Sequence, residues 1–311
     1  MSNTKIDKIA VMTSGGDSPG MNAFIRAVVR EALENKVEIY GIYEGYQGLI
    51  ENKIKQMDYD SVCNIIQRGG TILKTSRSAE FMTPAGRKIA ANNLDNLGIK
   101  ALICCGGDGS YAGLKAFANK QDGQWSGLVL GAPGTIDNDV KGTDFTIGYD
   151  TAINTAMHAI DNLRDTGDSH SMHFIVEVMG RHCGDIARAV GTASGAVNVL
   201  IPETHTNIDE VVDHIRSKGH NITVIAEGDE SGGALKLADI LAEKICSIND
   251  KICKPNFRVC ILGHIQRGGT PTARDRILAH EMGVFAVQQI LANHTLMAVA
   301  SQAGKLVLTN I

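Results

Sequence analysis

No C-x-x-C pair occurs among the seven cysteines of this 311-residue chain, no low-complexity tract interrupts it, and no apolar stretch approaches the roughly 20 residues of a membrane span. The cysteines therefore read as buried thiols of a reducing compartment, with Cys104 and Cys105 pointing to opposite faces of one strand. The N-terminus, "MSNTKIDKIAVMTSGG", lacks the charged, apolar, small-residue order of a secretory signal, and a soluble, cytoplasmic protein is expected. An excess of positive charge is missing too. The formal net charge is -4, which leaves no global field to favour nucleic acid or an anionic membrane, so any phosphate ligand must be recognised locally. Two familiar phosphate signatures are also absent: there is no G-x-x-x-x-G-K-[ST], and "SGGDSPG" is not G-x-G-x-x-G, which disfavours a P-loop ATPase and a simple NAD-binding dehydrogenase. Proline is scarce at 6 residues, whereas the 34 glycines, outside any low-complexity tract, must be positional.

What is present is alternation. "KIAVMT", "SGGDSPG" and "MNAFIRAVVREALEN" read as strand, Gly-rich loop and helix, with Phe24, Ile25, Val28, Val29 and Leu33 at helical spacing and Arg26, Arg30 and Glu34 toward solvent. "VEIYGIYEG" is a second strand, and "DSVCNIIQRGG" a helix capped by Asp60. "TPAGRKIAANNLDNLG" is a helix opening on Thr83 and Pro84 and closing on Gly98. "KALICC" and "SGLVLGA" are further strands. After the long helix "YDTAINTAMHAIDNLRD" a second alternating series begins, with too many strands for one comfortable sheet. The expected fold class is α/β: two similar three-layer domains with mainly parallel sheets. The expected boundaries are residues 1–145 plus 265–311 for a larger domain and 146–264 for a smaller one. No internal sequence repeat is strong enough to claim.

Ligands of open parallel sheets bind beyond the carboxyl ends of the strands, which selects the loops "SGGDSPG", "GGDGS", "PGTIDND", "VMGRHCG", "AEGDESGG" and "GHIQRGG". A Gly-rich turn feeding a helix lets backbone amides approach an anion, making Gly15, Gly16, Gly106, Gly107 and Gly109 candidates for a polyphosphate cradle. Asp108 within "GGDGS" would repel a bare phosphate but suit one carrying Mg²⁺; the plainer alternative is a helix N-cap with Ser110 behind it. Phosphoryl transfer needs a proton acceptor and cations that steady the moving charge: Asp137 suits the first, Arg77 and Arg181 the second. An Asx-turn is the competing reading for "PGTIDND", and a surface arginine for Arg77 and Arg181. Glu227 suits sugar hydroxyls or a structural ion pair. His264 and Arg267 make a plausible phosphate grip.

Taken in order, "MTSGGDSPGMNA", "GGDGS", "PGTIDND", "GYDTA", "VEVMGR" and "LGHIQRGG" resemble the phosphofructokinase family, specifically its short bacterial ATP-dependent members, over nearly the whole chain. The resemblance implies transfer of the ATP γ-phosphoryl to the 1-hydroxyl of fructose 6-phosphate, a glycolytic step with Mg²⁺ as cofactor, in a cleft between the two domains. It implies a homotetramer whose sites borrow residues from a neighbouring subunit. By position, Gly16, Arg77, Ser78, Gly107, Asp108, Gly109 and Ser110 would hold ATP, Asp108 being the residue toward the metal. Asp137 would be the base, supported by Thr135, Asp139, Arg181 and Arg77. Thr135, Ile136, Asp137, Met179, Gly180, Arg181, Glu227, His264 and Arg267 would bind the sugar phosphate, with Arg258 donated to a neighbour. Pyrophosphate-using relatives carry Asp at the position of Gly109 and Lys at that of Gly134, so ATP is the implied donor.

The match breaks at named positions. Met172 replaces an arginine that reaches a neighbour's 6-phosphate, so weak sugar-phosphate binding is expected unless His170 or His173 substitutes. Arg26, Arg30, Arg164, Lys218 and His220 match the cationic lining of the family's effector site, but Val197 stands at its acidic position and Tyr59 at one of its arginines. Two other readings follow: a kinase of the same fold with another sugar-phosphate acceptor, and a non-catalytic nucleotide-binding regulatory subunit, against which the presence of Asp137 and Asp108 argues.

Overall fold

The computed structural model describes residues 6–118, 125–218, 222–248 and 256–311. The chain divides into two compact units: residues 1–136, 140–148 and 267–311 form the first, residues 137–139 and 149–266 the second.

The first unit is built on a seven-stranded sheet of β1 (Lys8–Thr13), β2 (Glu38–Ile42), β3 (Ile54–Met57), β4 (Ala101–Gly106), β5 (Leu128–Pro133), β10 (Met297–Gln302) and β11 (Lys305–Asn310). Its order is β11-β10-β5-β4-β1-β2-β3. The five inner strands run parallel, while β3 and β11 pair antiparallel at the two edges. β4 is buried along its whole length, as the continuous apolar "ALICC" demands of a strand covered on both faces. One face carries α1 (Met21–Glu34) and α9 (Ala273–Leu291), whose Phe24, Ile25, Val28, Met282 and Ala286 pack on Val11, Ile103 and Cys105. The other carries α2 (Gly45–Ile50), α3 (Pro84–Leu97) and α4 (Asp108–Phe117), which bring Leu49, Leu94, Leu114 and Phe117 onto Met12, Leu102 and Cys104. Cys104 and Cys105 thus serve opposite cores, as alternation requires. Burial pushes the Cys104 thiol up to about 12. The expectation of uniformly buried cysteines fails for Cys63, which is exposed, and for Cys183, Cys246 and Cys260, which are partly exposed.

The second unit has a parallel four-stranded sheet of β6 (His173–Val178), β7 (Asn198–Leu200), β8 (Ile222–Ala226) and β9 (Phe257–Ile261), in the order β7-β8-β6-β9. α5 (Tyr149–His170) and α6 (Asp185–Ser194) lie on one side, while α7 (Ile208–Lys218) and α8 (Ala234–Ile248) pack Val211, Val212, Leu237 and Leu241 on Ile175 and Ile225.

Local chemistry explains most boundaries. Thr83 accepts the Gly86 amide at 3.1 Å, Pro84 opens α3, and Gly98 closes it in the left-handed region. The expected helix over "DSVCNIIQRGG" is a correction: only a 3-10 turn, Asp60–Val62, forms there. Asn64 takes a positive φ of 53°, and the Asp58 carboxylate, rather than Asp60, accepts the Ser61 amide at 2.8 Å. At its end the carbonyls of Arg68 and Gly69 accept from the Asn22 side chain.

Candidate active site

In the first unit the chain runs from β1 to β2 on one side and returns to β4 on the other, so the loops after β1 and β4 part at a topological switch point, where open sheets bind ligands. Hydrogen bonds bind the three loop starts into one ledge: the Ser14 amide donates to the Cys105 carbonyl at 3.0 Å and the Gly134 amide to the Gly106 carbonyl at 3.1 Å. The ledge admits no side chains where it is tightest. A Cβ on Gly106 would lie 2.5 Å from both Ser110 Oγ and the Ser14 carbonyl oxygen, and one on Gly134 would lie 2.5 Å from Cys105 Sγ. At Gly109 a Cβ would meet nothing within 4 Å. Asp108 is exposed in the first turn of α4 behind an N-cap at Gly107, so it is not the N-cap itself. Its carboxylate sits where the helix dipole is positive. Ser110 is buried, and its carbonyl accepts the Tyr46 hydroxyl at 2.6 Å. Ser78 is tied to Gln47 at 2.7 Å, while its neighbour Arg77 is exposed. Arg267 belongs to this unit; its guanidinium Nη1 is 3.1 Å from the position of a Cβ on Gly16. Thr135 is half-buried and Ile136 buried.

The second unit repeats the arrangement between β6 and β9. The Glu227 amide donates to Val178 at 2.9 Å and the Leu262 amide to Glu177 at 3.0 Å, so the loops after β6, β8 and β9 leave one sheet edge together. The turn after β6 is gripped amide by amide. Met179 donates its N–H to Gln266 Oε1 at 2.8 Å, and Gly180 and Arg181 donate theirs to Glu227 Oε1 at 3.3 and 2.9 Å. Glu227, expected as a sugar acceptor, thus also brackets this turn. Arg181 holds a left-handed φ of 53°, and its Nε lies 3.7 Å from Asp137 Oδ2. The Asp137 side chain is 5% exposed and that of Arg181 58%. Between the two acids Asn138 takes the positive φ of the turn, 55°, and donates to Asp185 Oδ2 at 3.2 Å. The turn chemistry of "DND" therefore falls to Asn138, leaving Asp137 buried beside its arginine and Asp139 exposed.

Other expected residues lie apart. Arg258 sits on the outer strand opposite Phe174, about 10 Å along the strand from Ile261 and the loop edge. His264 is exposed. Of the effector candidates, Arg164 donates to the Ser194 carbonyl at the end of α6. Arg30 lies over the Tyr59 ring at 5.5 Å, Arg26 is half-buried on α1, and Lys218 ends α7. His220 lies outside the described residues.

His173 cannot replace the missing arginine. It is 6% exposed, its Nε2 pairs with Thr223 Oγ1 at 2.9 Å, and burial lowers its pKa to about 4, so its ring is neutral rather than the imidazolium a phosphate would need. His170 is exposed at the end of α5. Gln266 and Asn22, both buried and both holding loop backbone, were not singled out from the sequence. The available signal for Gln266 was a repeated hexapeptide, "IQRGGT", which begins at residues 66 and 265.

A family model described as phosphofructokinase matches residues 8–290. The ATP-dependent 6-phosphofructokinase of Macrococcus caseolyticus is 48% identical over 309 residues, covering 96% of this chain and 91% of that protein. The Bacillus subtilis protein of the same name is 48% identical over 305 residues with the same coverage. Among solved structures, phosphofructokinase from Saccharomyces cerevisiae is similar at a TM-score of 0.88 and 38% identity, across 97% of this chain and 44% of that one, so this chain spans less than half of the yeast polypeptide. Ledge, gripped turn and these likenesses agree: the chain belongs to the phosphofructokinase family.

Proposed function

We propose that this protein is an ATP-dependent 6-phosphofructokinase, transferring the γ-phosphoryl of ATP to the 1-hydroxyl of fructose 6-phosphate to give fructose 1,6-bisphosphate and ADP. The observation that carries this reading is the buried Asp137 carboxylate 3.7 Å from Arg181, at the end of the "PGTID" loop. Asp137 accepts the proton of the attacking hydroxyl, and Arg181 steadies the charge of the moving phosphoryl group. Thr135, Ile136 and Asp139 shape the same loop. Met179, Gly180, Glu227, His264 and Arg267 hold the sugar phosphate.

Gly16, Arg77, Ser78, Gly107, Asp108, Gly109 and Ser110 hold ATP. The open space beside Gly109 supports this donor, because an aspartate there would project a charge where a nucleotide phosphate must lie. Among the described residues no group of three or more His, Cys, Asp and Glu could hold a metal by itself. Asp108 suits a cation that arrives on the nucleotide, and Mg²⁺ bound that way neutralises phosphate charge.

Arg258 and Met172 lie toward the edge of the second sheet opposite its site loops, which supports their service to another subunit and, with the exposed outer strand β9, a homotetramer. Val197 and Tyr59 take an acid and an arginine out of the effector lining, so activation by Mg-ADP is not expected.

Initial velocities with fructose 6-phosphate, comparing Mg-ATP with Mg-pyrophosphate, test the reading. ATP-supported turnover is expected; turnover with pyrophosphate alone would contradict the donor assignment.

A further inference from the structure

"IQRGGT" stands twice in this chain, at residues 66–71 and 265–270. The second copy carries Arg267; the first has no part in the reaction described above. The two copies meet at their glycines. A Cβ on Gly69 would fall inside the contact distance of the Gly269 carbonyl oxygen and lie 3.1 Å from the carbonyl carbon and the amide nitrogen of Gly269. All three are backbone atoms, which cannot rotate away as a side chain could.

The first copy is itself held from below. Asn22 on α1 is 1% exposed and donates Nδ2 to the carbonyls of Arg68 at 3.0 Å and Gly69 at 3.1 Å, while its Oδ1 accepts the Ile72 amide at 2.7 Å. One buried amide thus makes three bonds to a stretch that has no helix or strand of its own. On the far side of the second copy, the Arg267 guanidinium lies against Gly16. The order of contact is Asn22, the Gly69 turn, the Gly269 turn, then Arg267 over the first loop.

We propose that Asn22 and Gly69 are positioning residues for Arg267: the first IQRGGT turn is a seat that sets the backbone of the second and aims its arginine at the bound phosphate. The inference rests on reading Arg267 as a phosphate ligand. It gives the exclusion of a side chain at residue 69 a role at the site.

Two substitutions isolate the seat. Asn22→Asp keeps the size and the acceptor for Ile72 but turns a carboxylate oxygen toward two carbonyls; Gly69→Ala puts a methyl group against Gly269. Each is expected to raise the KM for fructose 6-phosphate by about ten-fold or more, the worth of a misplaced charged hydrogen bond, with kcat changing much less. In an Arg267→Ala background the same changes should add less than about two-fold, because the group they aim is gone. The calorimetric Kd for inorganic phosphate should follow the same pattern, and it needs no turnover. Equal effects in both backgrounds, or phosphate affinity and KM untouched by either substitution, would overturn the proposal; should Gly69→Ala fail to fold, Asn22→Asp decides alone. Wild-type protein that binds phosphate through this seat yet never turns over fructose 6-phosphate would sink the functional reading and leave this inference standing.

Discussion

At the scale of single residues, the site depends on what a few positions exclude. Gly134 is backed by Cys105 Sγ and by Met21 Cε, 2.5 and 3.0 Å from where a Cβ would sit. A lysine there, as pyrophosphate-using relatives carry, cannot enter without a smaller residue at 105. Gly134→Ala should cost about 1–3 kcal/mol as an overpacked core, and Cys105→Ala should recover most of it. Denaturant unfolding of the two single variants and the double variant measures this, and strict additivity would show that the neighbours yield freely. Met172 is a second such position. With His173 neutral and bonded to Thr223, no imidazolium next to it compensates, so Met172→Arg should lower the KM for fructose 6-phosphate by roughly ten- to hundred-fold. An unchanged KM would mean that the sugar phosphate is gripped without a residue at 172.

At the scale of elements, His173 gives β6 a pH-sensitive start. Its pKa is about 4 in the folded chain against about 6.5 unfolded, so the unfolded chain binds a proton that the folded one refuses. The contribution of neutral His173 is complete above pH 6.5 and is lost as pH falls toward 4, by about 3 kcal/mol in all. His173→Leu should flatten that part of the stability profile relative to the wild type, measured by urea unfolding at pH 7, 5.5 and 4.5; parallel profiles would show that the ring is solvated. Elements of this kind were legible from periodicity where side chains face one core. The helix from Pro84 was readable through Thr83 and Gly98, and the buried strands through unbroken apolar runs. The stretch after Asp58 was not, because the carbonyls of Arg68 and Gly69 are held by Asn22, 46 and 47 positions away, and no local propensity reports a long-range side-chain bond. Strand β11 escaped for a similar reason: it pairs antiparallel with β10 at the sheet edge, and its half-exposed residues lack the apolar density of the central strands.

At the scale of the whole molecule, the proposed chemistry belongs to loops at the carboxyl ends of the parallel strands of the two sheets, and those loops were visible in the sequence as Gly-rich punctuation after apolar runs. Their partners were less visible. Glu227 reads as a lone acid, and only the fold shows it spanning two amides of the turn that carries Arg181. The exposed outer strand β9, with Ile261 half-exposed, is the surface on which the proposed tetramer depends. Ile261→Lys should lower the solution mass, measured by light scattering, and weaken fructose 6-phosphate binding through loss of the neighbour's Arg258; a wild-type mass with unchanged kinetics would place the assembly surface elsewhere. The central claim is narrower than assembly and is tested most directly by kcat in Asp137→Ser beside the wild type, with Mg-ATP and fructose 6-phosphate saturating and the Kd for ATP measured on both proteins. Loss of kcat by about 10²- to 10⁴-fold with ATP affinity retained is the predicted result for a general base. Turnover that survives the substitution would contradict Asp137 as the proton acceptor and, with it, the reading of its pair with Arg181.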